Sequence, residues 1–191
     1  MREIIGNLWD FHTKGRWVVV PTNGDVNRRG EAVMGRGVAY QARMKYPGIV
    51  TDLGHLLKTH GNHVYPLTKY RMFSFPVKVH WYLMADLRLI ALSCDELRKV
   101  FEVAANRRGD HMAETILQID NVYIPRVGCG FGQLIWKDVF PILSERLSDD
   151  RFIAVSQSYI KDVVEYEDPV KGKTGKVARS RWEGESCEGS S

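Results

Sequence analysis

The stretch that most constrains the fold runs from residue 121 to residue 139, NVYIPRVGCGFGQLIWKDV. Its first apolar residues, 122–124, predict a buried strand, and Pro125 ends that strand because it lacks a backbone N–H. Glycines then occupy alternate positions at 128, 130 and 132, and apolar residues take up helical spacing near Ile135. A strand, a glycine-rich loop and a helix in this order can hold an anion on backbone N–H groups. The same glycines also suit an ordinary tight turn, so the pattern alone leaves both interpretations open.

A second strand and loop follow the same design. Residues 17–23, WVVVPTN, contain a continuous apolar run that predicts a central strand covered on both faces. Pro21 is expected to end it, as Pro125 ends the later strand, and a loop rich in Asn, Gly and Arg follows over residues 23–37. Strands and helices alternate along the chain, which predicts a three-layer α/β/α sandwich with a mixed, mostly parallel central sheet. Ligands of such sheets bind beyond the carboxyl ends of the strands, where both loops are expected to lie.

The remaining elements are predicted from hydrophobic periodicity and from helix breakers. A first strand is expected over residues 3–9. Helical character is expected to begin near Val33 and to stop at Pro47, with Met34, Val38, Ala42 and Met44 on one face. The other expected elements are a helix over 49–60, paired strands over 63–68 and 71–76, a long helix capped by Asp86 that ends before Gly109, helical turns over 111–119, a helix over 135–147 and a last strand over 151–158.

Length and composition exclude several classes of protein. The chain of 191 residues is predicted to form one domain over residues 1–160 and an extension over 161–191, flexible from about residue 169 because that segment has little to bury. No run is long and uncharged enough to span a membrane, and the start lacks a secretory leader. The 3 cysteines share no metal-ligand or redox spacing, which suits a cytoplasmic protein. We therefore expect a cytoplasmic monomer with no metal and no membrane partner.

The extension also carries a basic run, and two interpretations of it remain open. It either contacts nucleic acid or is a solvated tail, and its composition favours the tail. The net charge of +4 is too small to decide between them. The run consists of Lys171, Lys173, Lys176, Arg179 and Arg181.

Three segments together resemble the macrodomain family of ADP-ribose-binding modules. GNLWDF, from Gly6, resembles the opening motif of that family. PTNGDVNRRGEAVMGRGVAYQARMKYPG, from Pro21, resembles its first ligand loop and the helix that follows, and IPRVGCGFGQLIWKDV, from Ile124, resembles its second, phosphate-binding loop. The order and the spacing agree, and the match covers residues 1–156. The resemblance implies an α/β/α domain that takes ADP-ribose as its ligand or substrate and uses no other cofactor.

The resemblance also implies which residues contact the ligand. Asn23 corresponds to the asparagine that contacts the distal ribose, although a turn-forming Asn before Gly24 is the alternative. Asn7 stands where many macrodomains carry an adenine-binding aspartate, and the backbone of Leu8 can share that task. Cys129 is interpreted as a small packing residue, not a nucleophile. The ligand-binding residues expected in this way are Asn7, Leu8, Gly35, Gly37, Val38, Val127, Gly128, Cys129, Gly130, Phe131 and Gly132.

Lys78 is the residue that the resemblance assigns to catalysis, together with Asn23. FSFPVKVHW, residues 73–81, is similar to a segment of the macrodomain branch that removes terminal ADP-ribose from acidic side chains of proteins or from DNA bases. The amine can attack the anomeric carbon of an opened ribose, or it can stabilise charge at the leaving group. A surface lysine after a strand is the alternative. To act as a nucleophile, Lys78 needs a lowered pKa, which burial beside other cations supplies.

One departure from the family pattern bears on the substrate. Protein-directed members pair this lysine with an aspartate in the second loop, and here that position is Gly132. DNA-directed members lack the acid as well, so the substitution favours a nucleobase adduct, and Asp25 is another candidate acid. We therefore expect a glycohydrolase-type enzyme that removes terminal ADP-ribose from a macromolecule, with nucleic acid favoured and acidic side chains of proteins next. The alternatives are a non-catalytic ADP-ribose or nucleotide-binding module and an ADP-ribose 1''-phosphate phosphatase.

Overall fold

A single sheet of 6 strands organises the domain, in the order β1-β6-β5-β2-β4-β3. The computed structural model describes residues 1–157 and, for the backbone alone, residues 164–167 and 174–177. Every neighbouring pair in the sheet is parallel except β3 with β4, so the predicted mixed, mostly parallel sheet is confirmed. The strands are β1 Arg2–Ile5, β2 Trp17–Asn23, β3 Pro66–Leu67, β4 Met72–Lys78, β5 Val122–Pro125 and β6 Phe152–Ser156.

Helices cover both faces of this sheet, because its central strands are apolar on both sides. On β2, Val18 and Val20 pack with the helices of one layer, whereas Trp17 and Val19 pack with those of the other. Each fully buried aliphatic side chain of this kind contributes about 1.5–3 kcal/mol to folding. The predicted three-layer α/β/α sandwich is therefore confirmed. The first layer holds α1 Leu8–Thr13, α2 Gly37–Lys45 and α3 Ile49–His60, and the second holds α4 Leu87–Asn106, α5 His111–Leu117 and α6 Trp136–Arg146.

Most of the predicted elements are present. The segment 17–23 and the helix predicted over 49–60 have those bounds in the structure. The expectation that Pro21 ends the strand is wrong, because Thr22 and Asn23 still pair with β4. The long helix begins after Asp86, whose side chain accepts a hydrogen bond from the N–H of Arg88 at 2.8 Å. The expected pair of antiparallel strands is also present, but its first member is only 2 residues long and its second extends to Lys78.

The first strand is shorter than predicted. It ends at Ile5, and residues 8–13 form α1 instead of continuing the strand to residue 9. Asn7 is the reason: its side-chain oxygen accepts a hydrogen bond from Trp9 N at 2.9 Å and caps the helix. Leu8 and Trp9, the apolar residues that suggested a strand, are buried residues of α1.

The helix predicted from Val33 begins later, at Gly37. An isolated bridge between Val26 and Ala32, and a hydrogen bond of 2.9 Å from Val33 N to Asp25 O, hold the preceding residues in the loop. Met34 is buried, but it lies in the loop before the helix and not in the helix itself. The expectation that Met44 shares its buried face is wrong, because Met44 is 61% exposed.

The expected extension falls mostly outside the described residues, and so do most of the part from residue 169, expected to be flexible, and most of the basic run. Within it, β7 Val164–Glu167 and β8 Thr174–Val177 form an antiparallel pair. In the described part of the chain, no helix combines the length and the apolar character that crossing a membrane requires.

Candidate functional site

A cavity of about 700 Å³ opens at the carboxyl ends of the central strands. The last residues of β2, β4, β5 and β6, which are Asn23, Lys78, Pro125 and Ser156, all line it. Parallel strands end at the same edge of a sheet, and this edge is where α/β folds bind ligands. Two loops complete the wall: loop one, residues 24–36 between β2 and α2, and loop two, residues 126–135 between β5 and α6.

Loop one is held by hydrogen bonds from its own side chains. The amide of Asn23 donates from Nδ2 to Val33 O at 2.9 Å and accepts from Asp25 N at 3.0 Å. Asn27 repeats the device further along, with its Oδ1 accepting from Arg29 N and Glu31 N. Asn23 therefore lines the cavity with both ends of its amide already engaged. The side chain of Asn23 therefore shapes the turn and also lines the cavity where the ligand is expected.

Loop two is shaped by its glycines, which carry no side chain. Gly128 and Gly130 have φ angles of 74° and 68°, in the left-handed region that glycine adopts without steric cost. A Cβ on Gly128 would lie 2.8 Å from Ile90 Cδ1, and one on Gly132 would lie 2.9 Å from Ala85 Cβ. The backbone is thus pressed against α4 and the segment before it. No acidic side chain has room at Gly132 unless Ala85 shifts.

The two loops meet at one side of the cavity. The guanidinium carbon of Arg36 lies 5.2 Å from the centre of the Phe131 ring, within cation–π range. α2 begins directly after Arg36 and has no side-chain cap. Its first residues, Gly37, Val38 and Ala39, line the cavity. An uncapped helix start beside a guanidinium favours a negatively charged ligand at this point.

Lys78 projects between the two loops. Its Nζ donates to Leu83 O at 2.7 Å and to Phe131 O at 3.2 Å. Partial burial lowers the pKa of Lys78 below its ordinary value, and the nearby charge of Arg36 lowers it further. The amine is therefore easier to deprotonate than a surface lysine, although both contacts suit an ammonium donor.

Asp25, the other candidate acid, is bonded to the segment after β4. Its two carboxylate oxygens accept hydrogen bonds from His80 Nδ1 at 2.8 Å and from Trp81 N at 2.7 Å. The carboxylate ties loop one to the segment after β4 and does not line the cavity. These bonds give Asp25 a structural contact, and whether it also acts as an acid stays a prediction.

Most of the expected site residues come together in this cavity. Two do not line it: Asn7 caps α1, and the side chain of Val127 is fully buried in the core. Cys129 is half-buried, and its thiol lies 3.6 Å from Val127 O. The expected residues that line the cavity are Leu8, Asn23, Gly35, Gly37, Val38, Lys78, Gly128, Cys129, Gly130, Phe131 and Gly132. That they bind the ligand stays a prediction.

Several lining residues were not expected from the sequence. Arg36 could have been noticed as a cation directly before a helix start. Trp81 and Tyr82 belong to an apolar run after β4 that the structure leaves exposed. Thr22 gives no local signal, yet it lines the cavity and its buried hydroxyl has no hydrogen-bond partner.

A polar cluster closes the end of the cavity nearest β1 and β6. Arg126 Nε donates to Ser156 Oγ at 2.6 Å, and its guanidinium lies 5.4 Å from the ring centre of Trp136. Glu3 accepts from Arg126 at 3.3 Å and from Trp136 Nε1 at 3.0 Å. In the described part of the chain, no group of three or more His, Cys, Asp or Glu side chains is placed to hold a metal ion.

Solved structures with the same architecture exist. The macrodomain of Thermus aquaticus DarG is 24% identical, with a TM-score of 0.59, over 82% of this chain and 97% of that one. The fold here is that of a macrodomain. The Mycobacterium tuberculosis DarG macrodomain is 23% identical, with a TM-score of 0.57, over 82% of this chain and 99% of that one.

A third similar structure is Thermosipho africanus DarTG in complex with ADP-ribose. It is 19% identical, with a TM-score of 0.61, over 85% of this chain and 44% of that one. No protein-family model matches the sequence, and a comparison with curated proteins finds no match either. The macrodomain fold expected from the three sequence segments is thus supported by three-dimensional similarity.

Proposed function

We propose that this macrodomain binds ADP-ribose in the cavity and hydrolyses the bond between the distal ribose and an attached macromolecule. The position of Lys78 carries the proposal. Its amine lies between the two loops, at the end of a central strand, and its pKa is lowered by burial and by Arg36. Such a group at a macrodomain cavity is suited to chemistry on the ligand.

The cavity has a suitable partner for each part of the ligand. The diphosphate would lie between the start of α2 and the backbone of loop two, near Arg36. The distal ribose would lie by Asn23 and Phe131, and the adenine toward Leu8 and the cluster around Arg126. Structural similarity to a DarTG structure that contains ADP-ribose supports this choice of ligand.

The reaction would break the bond between the anomeric carbon of the distal ribose and the attached group. Water supplies the hydroxyl to the carbon and a proton to the departing group. Lys78 would act as an ammonium beside that group, because its Nζ already donates to the Leu83 and Phe131 carbonyls. A positioned cation stabilises the negative charge that develops as the bond breaks.

Nucleic acid is the favoured carrier of the ADP-ribose. Ala85 leaves no room at Gly132 for the second-loop aspartate that protein-directed relatives use, and Asp25 is engaged with His80 and Trp81. A nucleobase leaving group carries ring nitrogens and oxygens that can take up the charge. Acidic side chains of proteins are the second candidate carrier.

Binding is tested by calorimetric titration with ADP-ribose. Gly35 lines the cavity, and a Cβ there would meet nothing within 4 Å. Gly35→Glu should therefore fold normally and lose at least tenfold in affinity, because its carboxylate repels the diphosphate. Gly35→Gln is the matched control without the charge and should retain most of the affinity. Absence of binding to the unaltered protein would overturn the proposal.

Catalysis is tested on ADP-ribosylated DNA, ADP-ribosylated protein and ADP-ribose 1''-phosphate. Lys78→Ala should reduce turnover by about 100-fold or more and change the affinity for ADP-ribose only slightly. Lys69→Ala is the control, since Lys69 pairs with Asp52 and does not line the cavity. Equal turnover in Lys78→Ala and in the control would remove Lys78 from the reaction.

A non-catalytic binding module is the second candidate function. The lack of space for an acid at Gly132 favours it. If the unaltered protein binds ADP-ribose with micromolar affinity but releases it from none of these substrates, the binding function stands alone.

A further inference from the structure

An exposed aromatic segment adjoins the cavity at Lys78. Residues 79–84, here called the aromatic segment, follow β4 directly. Trp81 is 57% exposed and Tyr82 is 65% exposed. Leu83 and Met84 are exposed as well. Consecutive exposed apolar residues are uncommon on a protein surface and mark a place where something binds.

The segment is held rigidly although it is exposed. Asp25 accepts hydrogen bonds from both His80 Nδ1 and Trp81 N. The ring of Tyr82 is stacked on that of His80, with centres 5.4 Å apart and planes 1° apart. The Trp81 ring meets Tyr82 edge-on. These contacts hold the rings in place before any partner arrives, which lowers the entropic cost of binding.

The segment also has a definite position relative to the reaction. Leu83 O lies 2.7 Å from Lys78 Nζ, so the segment begins beside the amine. Trp81, Tyr82 and Leu83 line the same cavity as the two loops. If the diphosphate lies between the loops and Lys78 acts at the distal ribose, these rings lie next to the group attached to that ribose.

We propose that Trp81 and Tyr82 form a stacking platform for bases of a single-stranded nucleic acid that carries the ADP-ribose. This inference rests on the proposed function and names the contact that selects its substrate. Every base has a π face that stacks on an exposed aromatic ring, and nearby cations attract the phosphates. Lys78 and Arg36 provide those cations on the same cavity wall.

The experiment separates the platform from the ADP-ribose cavity by using two probes on the full chain. Fluorescence anisotropy measures the affinity for an unmodified, labelled single-stranded DNA of mixed sequence, and calorimetry measures the affinity for ADP-ribose. The variants are Trp81→Ala, Tyr82→Ala and the conservative Trp81→Phe. Leu92→Ala is the matched control, because Leu92 is 60% exposed on α4 and does not line the cavity.

The platform predicts a loss of about tenfold in DNA affinity for each alanine variant. Trp81→Phe should recover most of that affinity, Leu92→Ala should have no effect, and the affinity for ADP-ribose should stay within about threefold throughout.

The inference is overturned if the unaltered protein does not bind the DNA, or if alanine variants bind it as well as the control does. It is also overturned if DNA and ADP-ribose affinities fall together. A protein that binds DNA through these rings but does not bind ADP-ribose would contradict the proposed function and leave the platform standing.

Discussion

Loop one and loop two line the same cavity, but they keep their shapes by opposite means. Loop one uses side chains: Asn23 and Asn27 accept and donate hydrogen bonds within it, and Asp25 ties it to the aromatic segment. Loop two depends on the absence of side chains, with positive φ angles at Gly128 and Gly130 and close contacts at Gly128 and Gly132.

This difference shows what each loop can tolerate. A loop held by side chains can lose one hydrogen bond and keep its course, whereas a backbone packed against a helix has no room for an added atom. Their meeting point, Arg36 against Phe131 beside Lys78, depends on both loops. Substitutions can therefore test the two walls separately and then test the contact between them.

The largest expected effect is on stability, at loop two. Gly128→Ala places a Cβ 2.8 Å from Ile90 and 2.9 Å from Leu134, at a φ of 74°. Strain and overpacking together should lower the free energy of unfolding by about 3 kcal/mol. Gly35→Ala is the counterpart in loop one, and it should change that free energy by less than about 1 kcal/mol. Urea denaturation of both variants measures this, and equal losses would contradict the contrast.

A smaller loss of stability is expected at loop one. Asn23→Ala removes the donor to Val33 O and the acceptor for Asp25 N, which should cost about 1–2 kcal/mol of unfolding free energy. Asn23→Asp keeps the acceptor and should recover part of that loss. Denaturation curves at neutral pH provide the comparison. If Asn23→Ala is as stable as the unaltered protein, loop one does not depend on this amide.

The smallest expected effect is a shift in a pH profile, and it tests the contact between the loops. If Lys78 acts as an ammonium, kcat/KM should fall as the pH rises through its pKa, which lies below the ordinary value for lysine. Arg36→Ala removes a neighbouring positive charge, so the pKa of Lys78 should rise and the fall should move to higher pH. A rate that instead rises through the same range would indicate a neutral, nucleophilic amine.

Local sequence patterns predicted much of the fold, because helix, strand and cap formation depend on residues close together in the chain. The apolar run at β2, the cap at Asp86 and the helix over 49–60 all appear as expected. The strand predicted over 3–9 failed where two local signals competed, since the cap formed by Asn7 prevailed over the apolar pattern. The start of α2 was predicted too early because contacts within loop one, between Val26 and Ala32, hold the chain back.

The candidate site was predicted in its parts but not in its assembly. The sequence segments and their resemblance indicated both loops and Lys78, and the cavity brings them together. They did not indicate Thr22, whose buried hydroxyl has no partner, or Arg36, whose contact with Phe131 joins the loops. Asp25 is a candidate acid from the sequence; its carboxylate is bonded to His80 Nδ1 and Trp81 N, and its role as an acid stays a prediction.

The sequence by itself determined most of the order of strands, loops and helices, the glycines that leave loop two without side chains, and the lysine at the end of β4. These are properties of single segments, since propensity, capping and glycine φ angles act over a few residues. Only the tertiary structure decided that β2, β4, β5 and β6 end around one cavity, that Ala85 closes the space at Gly132, and that Arg36 lies beside Lys78. Those relations depend on strand order and on packing between residues far apart in the chain. Periodicity within one segment predicts neither of them.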